Sequence, residues 1–314
     1  MSIWMDLLGT PFSVTTVDAG GIPTRALQAG RGRDVLFLHG TSGHLEAFTR
    51  NIGAYVSSGF RCHAIDMLGH GFTGGIDQQY EIPQYVEHAV AYLQAVGAGT
   101  QPAAIVGESL GGWVAARLAA EHPALVDRLV LVAPGGTKAN PAVMQRIKQS
   151  TLEAVLSDDK EHTRQRVELL MFDPKDATSE LVDVRFAIYQ RPEFRSRISQ
   201  LLCLQEMEVR KRNLLVADQL KRIQAPTLIV WGRQNPFGDS SEADALHASI
   251  PGSELLWIDN CGHWPQHEHA ELFNSASISF IRRAGQAPGY SASTARSPHR
   301  TLTCTLGIPR ANSR

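Results

Sequence analysis

The 314-residue sequence predicts an α/β fold, a mostly parallel central sheet covered on both faces by helices and carrying an inserted helical segment. Three observations lead there. Short apolar runs recur with helical patterns between them: Val35-Leu36-Phe37-Leu38, Ala103-Ala104-Ile105-Val106, Leu129-Val130-Leu131-Val132 and Thr227-Leu228-Ile229-Val230-Trp231. Such runs mark strands buried on both faces. Most of them end in polar, glycine-containing stretches, and in such sheets ligands bind beyond the carboxyl ends of the strands. From about residue 140 to 215 no strand is evident, and apolar residues recur at three- and four-residue steps (Val143, Ile147, Val167, Leu170, Leu181, Val184, Ile188), as in amphipathic helices.

In chain order, 12–18 and 24–29 alternate loosely around Gly20-Gly21-Ile22-Pro23 and predict an edge hairpin. The buried run 35–38 closes in His39-Gly40-Thr41-Ser42-Gly43. The next strand, Cys62-His63-Ala64-Ile65, closes in Asp66-Met67-Leu68-Gly69-His70-Gly71. A helix is expected over 82–96 from Ile82, Val86, Ala89, Val90 and Leu93. Run 103–106 leads into Gly107-Glu108-Ser109-Leu110-Gly111-Gly112 and then a helix from Trp113. After the helical segment, strand 227–231 leads to Gly232-Arg233-Gln234-Asn235-Pro236. A helix over 240–249, a strand over 254–258 and a last helix over roughly 268–283 follow. The expected division is a first core part at 1–136, a helical cap at 137–215, a second core part at 216–284 and a structureless tail at 285–314, rich in Ser, Pro, Ala, Thr, Gly and Arg.

Composition narrows the class. Apolar residues make up 43% and charged residues 19%, ordinary for a globular chain long enough to bury a sizeable core. A net charge of −1 gives no field for nucleic acid or an anionic membrane. No apolar run approaches the ~20 residues of a membrane span. The N-terminus lacks the basic and apolar regions of a signal peptide, so a cytoplasmic protein is expected. Cys62, Cys203, Cys261 and Cys304 lack CxxC spacing and read as free thiols. The expected partner is a small-molecule substrate, with no cofactor and no metal.

The chemistry gathers at Gly107-Glu108-Ser109-Leu110-Gly111. A strand that turns at once into a helix through Gly-x-Ser-x-Gly is a nucleophile elbow, which leaves the serine hydroxyl at the tip of the sheet. A serine needs an adjacent base, and in this arrangement the chain order is Ser, acid, His. Of twelve histidines, His263 is best placed, in the glycine-containing loop after the last strand. His267 and His269 fall at the start of the final helix and read as rim residues; His39 and His70 read as loop braces. Oxyanion donors are expected from the Leu110 N–H and from Thr41 or Ser42. The slot for the acid holds Asn235, which can orient an imidazole but brings no charge. Asp239 is a possible substitute, or else the N-cap of the helix that follows. Glu108 is expected to point away from the histidine, and Asp66 to hold the loop 66–71.

These residues resemble an α/β-hydrolase, and more narrowly the meta-cleavage product hydrolases, which split carbon–carbon bonds in aromatic catabolism. The resemblance spans roughly 10–283 and rests on Leu38-His39-Gly40-Thr41, the 66–71 loop, the elbow, Trp231-Gly232-Arg233 and Cys261-Gly262-His263-Trp264-Pro265-Gln266-His267-Glu268-His269. It implies an α/β-hydrolase fold with a helical cap, and a 2-hydroxy-6-oxohexa-2,4-dienoate substrate that ketonises before attack at C6. It also implies a substrate-binding arginine at Arg185, with Arg191 as runner-up, an apolar wall at Trp264, and assembly as a homo-oligomer. Two departures stand out. Asn235 replaces the acid, and Glu108 replaces the neutral amide that often precedes the nucleophile. Hydrolysis of an ester, lactone or thioester, and a weakly active or non-hydrolytic binding role, therefore stay open.

Overall fold

A computed structural model describes residues 2–98, 101–283 and 300–304. Among the described residues nine strands form one sheet in the order β1-β2-β4-β3-β5-β6-β7-β8-β9. They are β1 (Phe12–Ala19), β2 (Ile22–Gly30), β3 (Arg33–Leu38), β4 (Phe60–Ile65), β5 (Ala103–Glu108), β6 (Val126–Val132), β7 (Thr227–Gly232), β8 (Glu254–Ile258) and β9 (Arg300–Cys304). The hairpin β1–β2 is antiparallel and meets β4 antiparallel; every other pairing is parallel.

Helices α1 (Thr49–Ser57), α2 (Ile82–Ala95) and α3 (Leu110–Glu121) connect the first strands. Between β6 and β7 lie only helices: α4 (Pro141–Leu156), α5 (Lys160–Glu168), α6 (Ser179–Tyr189), α7 (Pro192–Leu201), α8 (Met207–Asn213) and the single turn α9 (Ala217–Leu220). Helix α10 (Ser240–Ser249) links β7 to β8, and α11 (Pro265–Glu268) and α12 (Ala270–Arg282) follow β8. None of the described helices is long and apolar enough to cross a membrane.

The apolar runs are continuous because the sheet has two dry faces. Alternate strand residues point opposite ways. Leu36, Leu38, Ile105, Leu129, Leu131 and Ile229 pack on one face against α2 and α3. Val35, Phe37, Val106, Val130, Val132 and Val230 pack on the other against α1 and α12. Both sets are essentially inaccessible to water.

The last helix is found as α12, with the single turn α11 before it and non-helical backbone at His269 between them. One expectation needs correction. The tail is not wholly structureless, because Arg300–Cys304 pairs in parallel with β8, whose outer edge would otherwise present unpaired backbone groups. The rest of 284–314 lies outside the described residues.

Candidate active site

The elbow is built as its sequence requires. Ser109 sits at φ 52°, ψ −112°, a strained conformation for a residue other than glycine. The surrounding structure holds it there. The Ser109 N–H donates to Val132 O at 2.9 Å, and Ser109 O accepts from Trp113 N at 3.0 Å and Gly135 N at 2.9 Å. A Cβ on Gly107 would collide with the carbonyl of Gly111, and one on Gly111 with the carbonyl of Leu38. Strand, helix and neighbouring strand approach this closely only without those side chains.

Ser109 lines a nearly closed cavity of about 20 Å³ with Gly40, Thr41, Glu108, Arg166, Arg185, Phe237, His263 and Trp264. That is far below the range for ligand pockets, so the cavity must widen to take a substrate. The loop 40–43 turns tightly, with the Gly43 N–H donating to Gly40 O at 2.9 Å and Ser42 at φ 56°. Thr41 lines the cavity, whereas the Ser42 hydroxyl is buried and accepts from the Tyr189 hydroxyl at 3.0 Å. Leu110 opens α3, so its N–H has no partner within the helix.

His263 enters on the loop after β8. Its N–H donates to Leu170 O at 2.7 Å, which ties that loop to the helical segment. Asn235 stands behind it, with Oδ1 2.9 Å from His263 Nδ1. The same Oδ1 accepts from the Phe237 N–H at 3.1 Å. That backbone donor fixes the amide with its oxygen toward the ring, since an amide NH₂ there would face another donor. His263 Nδ1 must therefore carry the proton, and Nε2 is left with its lone pair toward the cavity. The wrong tautomer, a hazard of any Asn in this slot, is excluded by Phe237. Burial, with Arg166 nearby, holds the His263 imidazole down to about 3.

Asp239 is not the substitute acid. It is the N-cap of α10, accepting from Glu242 N at 3.1 Å, and its side chain is 69% exposed. The short polar stretch Asp239-Ser240-Ser241 commits it to that cap. Glu108 also departs from expectation. Instead of pointing away, its Oε1 lies 3.3 Å from His263 Nε2. Gly40 permits this, because a Cβ there would sit 2.5 Å from Glu108 Oε2. Both carboxyl oxygens are buried. Burial raises this carboxyl to about 8, against the opposing pull of Arg185, the Gly40 N–H, Arg166 and the Trp264 side chain. It is therefore mainly neutral at pH 7.

Arg185 is 1% exposed, and its Nε and Nη2 lack hydrogen-bond partners. Its guanidinium lies 5.0 Å over the Trp264 ring. Arg191 is elsewhere: it stacks on Phe72 at 4.0 Å and donates to Gly71 O. His39 and His70 brace loops. His39 Nε2 accepts from Met67 N at 3.0 Å, and His70 Nδ1 lies 3.0 Å from Leu68 O. His267 lies 3.1 Å from Asp176 O, and His269 2.9 Å from Asn260 O. Asp66 holds its loop by accepting from Leu45 N and Phe72 N.

Two residues escape a reading of the sequence. Glu268 accepts from Phe172, Gly262 and Trp264 N–H groups at 2.7–3.0 Å and so clamps the His263 loop to the helical segment. Arg166 lines the cavity from α5, a helix too polar to announce a buried face.

Comparisons with known proteins agree with this geometry. Residues 35–270 match the family of the alpha/beta hydrolase fold. A 2-hydroxy-6-oxo-6-phenylhexa-2,4-dienoate hydrolase of Burkholderia cepacia is 31% identical over 260 residues, covering 81% of this chain and 89% of that one. A 2-hydroxy-6-oxononadienedioate/2-hydroxy-6-oxononatrienedioate hydrolase of Comamonas testosteroni is 30% identical with the same coverage. The solved meta-cleavage product hydrolase of Pseudomonas fluorescens superposes with a TM-score of 0.77 at 26% identity, over 86% of this chain and 98% of that one.

Proposed function

Because the chain belongs to the α/β-hydrolase family, alongside its meta-cleavage product hydrolases, we propose that it hydrolyses a carbon–carbon bond in a 2-hydroxy-6-oxo-dienoate ring-fission product of aromatic catabolism. The observation that carries this reading is Arg185, a buried, unpaired cation in the cavity that holds Ser109 and His263. A neutral ester has no use for such a group, whereas a dienoate carboxylate does.

In this reading the substrate carboxylate pairs with Arg185, and the dienol ketonises. Ser109, or a water molecule activated by His263, attacks the C6 carbonyl. The Leu110 N–H and the loop at Thr41 and Ser42 stabilise the oxyanion. His263 Nε2 takes the proton of the nucleophile and returns it to the leaving carbon fragment. The C–C bond breaks to release a 2-hydroxypentadienoate; where Ser109 attacked, a water molecule activated by His263 then hydrolyses the acyl-Ser109 ester to the carboxylic acid, and where water attacked the acid forms directly. Neutral Glu108 does not repel the anionic substrate, which removes the objection its carboxyl raised. Asn235 favours a slow enzyme over an inactive one, because it still sets the productive tautomer. The segment 137–215 acts as the cap, the protein works in the cytoplasm, and it assembles as a homo-oligomer.

The test compares Arg185→Met with the wild type on a dienoate and on neutral aryl esters. Removing one buried charge-assisted contact raises the dienoate KM about 10- to 100-fold and leaves ester KM within about twofold. Ester turnover without any dienoate turnover would transfer the reading to an esterase.

A further inference from the structure

We propose that Phe237 is a positioning residue for the reaction: its ring, held by Arg146 and Arg166 of the helical segment, keeps the Asn235 amide turned correctly on His263, so that the base is oriented only while that segment is closed over the cavity. This rests on the reading above that His263 serves Ser109 and that 137–215 acts as the cap, and it names what the cap does for the base.

The turn that carries Asn235 is fixed unevenly. Its start is tied down by main-chain bonds: the Arg233 N–H donates to Ile258 O at 3.0 Å, the Gln234 N–H to Cys261 O at 2.9 Å and the Asn235 N–H to Gly232 O at 3.2 Å. These bonds hold the backbone up to Asn235 and leave its side chain free to rotate. The amide is oriented by the Phe237 N–H, 3.1 Å from the same Oδ1 that meets His263 Nδ1 at 2.9 Å. Where that N–H points depends on where the half-buried Phe237 side chain docks.

The ring lies at the edge of the apolar core and meets the His263 ring at 4.9 Å, with the planes 83° apart. It also carries two cations. Arg166 Cζ lies 5.6 Å and Arg146 Cζ 5.9 Å from its centroid, both within cation–π reach. Burial lowers the Arg166 guanidinium to about 10, which still leaves it charged at pH 7. Arg146 belongs to α4 and Arg166 to α5, and Arg166 Nε donates to Thr151 Oγ1 of α4 at 3.3 Å. The two cations therefore travel with one packed pair of helices.

The cavity beside them is about 20 Å³, so a substrate enters only when these helices lift. Lifting takes both guanidiniums off the ring and lets the Phe237 N–H swing away. The Asn235 amide can then present its NH₂ to His263, which selects the tautomer protonated at Nε2, useless as a base toward Ser109. An aspartate in this slot would need no such device, because its two oxygens are alike and either accepts from Nδ1. The clamp on Phe237 is thus a requirement that comes with asparagine at 235.

The experiment measures steady-state kinetics of Arg146→Met and Arg146→Lys, in the wild-type and Asn235→Asp backgrounds, on whichever of a dienoate and neutral aryl esters the wild type hydrolyses. Arg146 is not among the described residues that line the cavity, so substrate contacts are kept. In the wild-type background Arg146→Met should lower kcat about three- to tenfold with KM within about twofold, and Arg146→Lys, which keeps the charge, should lose less. In Asn235→Asp the same Arg146→Met change should cost less than about twofold. Hydrogen exchange of the Phe237 N–H should speed up about three- to tenfold in Arg146→Met. An equal loss of kcat in both backgrounds would overturn the proposal, as would a kcat and a Phe237 exchange rate that ignore Arg146→Met. Exchange is read without turnover, so faster Phe237 exchange in a protein inert to dienoates would refute the C–C hydrolase reading and leave the clamp standing.

Discussion

Asn235 Oδ1 receives two hydrogen bonds, from His263 Nδ1 and from the Phe237 N–H, and a carboxylate would suit both donors at least as well. The amide supplies orientation and tautomer but no charge for the imidazolium that forms during attack. In serine proteases an Asp→Asn change in this slot costs about 10⁴ in kcat, part of it through the wrong tautomer. Here the tautomer is already correct, so Asn235→Asp is predicted to raise kcat by about 10²- to 10³-fold, read by steady-state turnover. An unchanged kcat would mean that Asn235 is not the residue limiting His263. Glu108 yields a pH prediction. Its carboxyl is raised to about 8, so it is neutral below that pH and negative above it. The cavity loses positive charge as pH rises through 8, and kcat/KM for an anionic substrate falls there. His263, held near 3, stays neutral across the same range. Glu108→Gln should keep activity at pH 7 and abolish the fall above 8; a fall that persists in this variant would assign it to another group.

At the scale of elements, the His263 loop is positioned by a clamp that no motif advertises. Glu268, at the end of α11, accepts three backbone N–H groups, two from the His263 loop and one from the segment after α5. Glu268→Ala strands three donors, and at about 1 kcal/mol each should cost about 3 kcal/mol, measured by denaturant unfolding, together with a lower kcat. An unchanged unfolding midpoint would contradict the clamp. The same scale explains what the sequence could tell. Strands β3, β5, β6 and β7 were readable because a sheet with two dry faces demands unbroken apolar runs. Ser109, His263 and Asn235 were readable because the elbow and the strand ends fix their places in the chain. The direction of Glu108 was not, since it depends on the missing side chain of Gly40, one strand away. Arg166 was not, since α5 is polar throughout and its inner face is chosen by the helices packed on it. Asp239 offered two readings, and only the observed cap on α10 separates them.

Across the whole molecule, core and helical segment close on each other over the nucleophile. Tyr189 of α6 reaches Ser42 in the loop after β3, the His263 N–H reaches Leu170 O, and Arg185 comes down from α6 onto Trp264. The sheet and its strand-end loops place Ser109 and His263 at the cavity, and the helices place Arg166 and Arg185 there. That division matches the small cavity, which must open for a substrate to enter. The central claim joins both halves: Ser109, served by His263, cleaves the carbon–carbon bond of a dienoate held by Arg185 of the helical segment. The most direct measurement is the loss of dienoate absorbance on adding purified wild type or Ser109→Ala, with both fragments identified by mass spectrometry. Wild type should yield the hydroxypentadienoate and the carboxylic acid, and Ser109→Ala should be slower by at least about 10³-fold. Equal turnover by the two proteins, or none by wild type under conditions where it hydrolyses esters, would contradict the account.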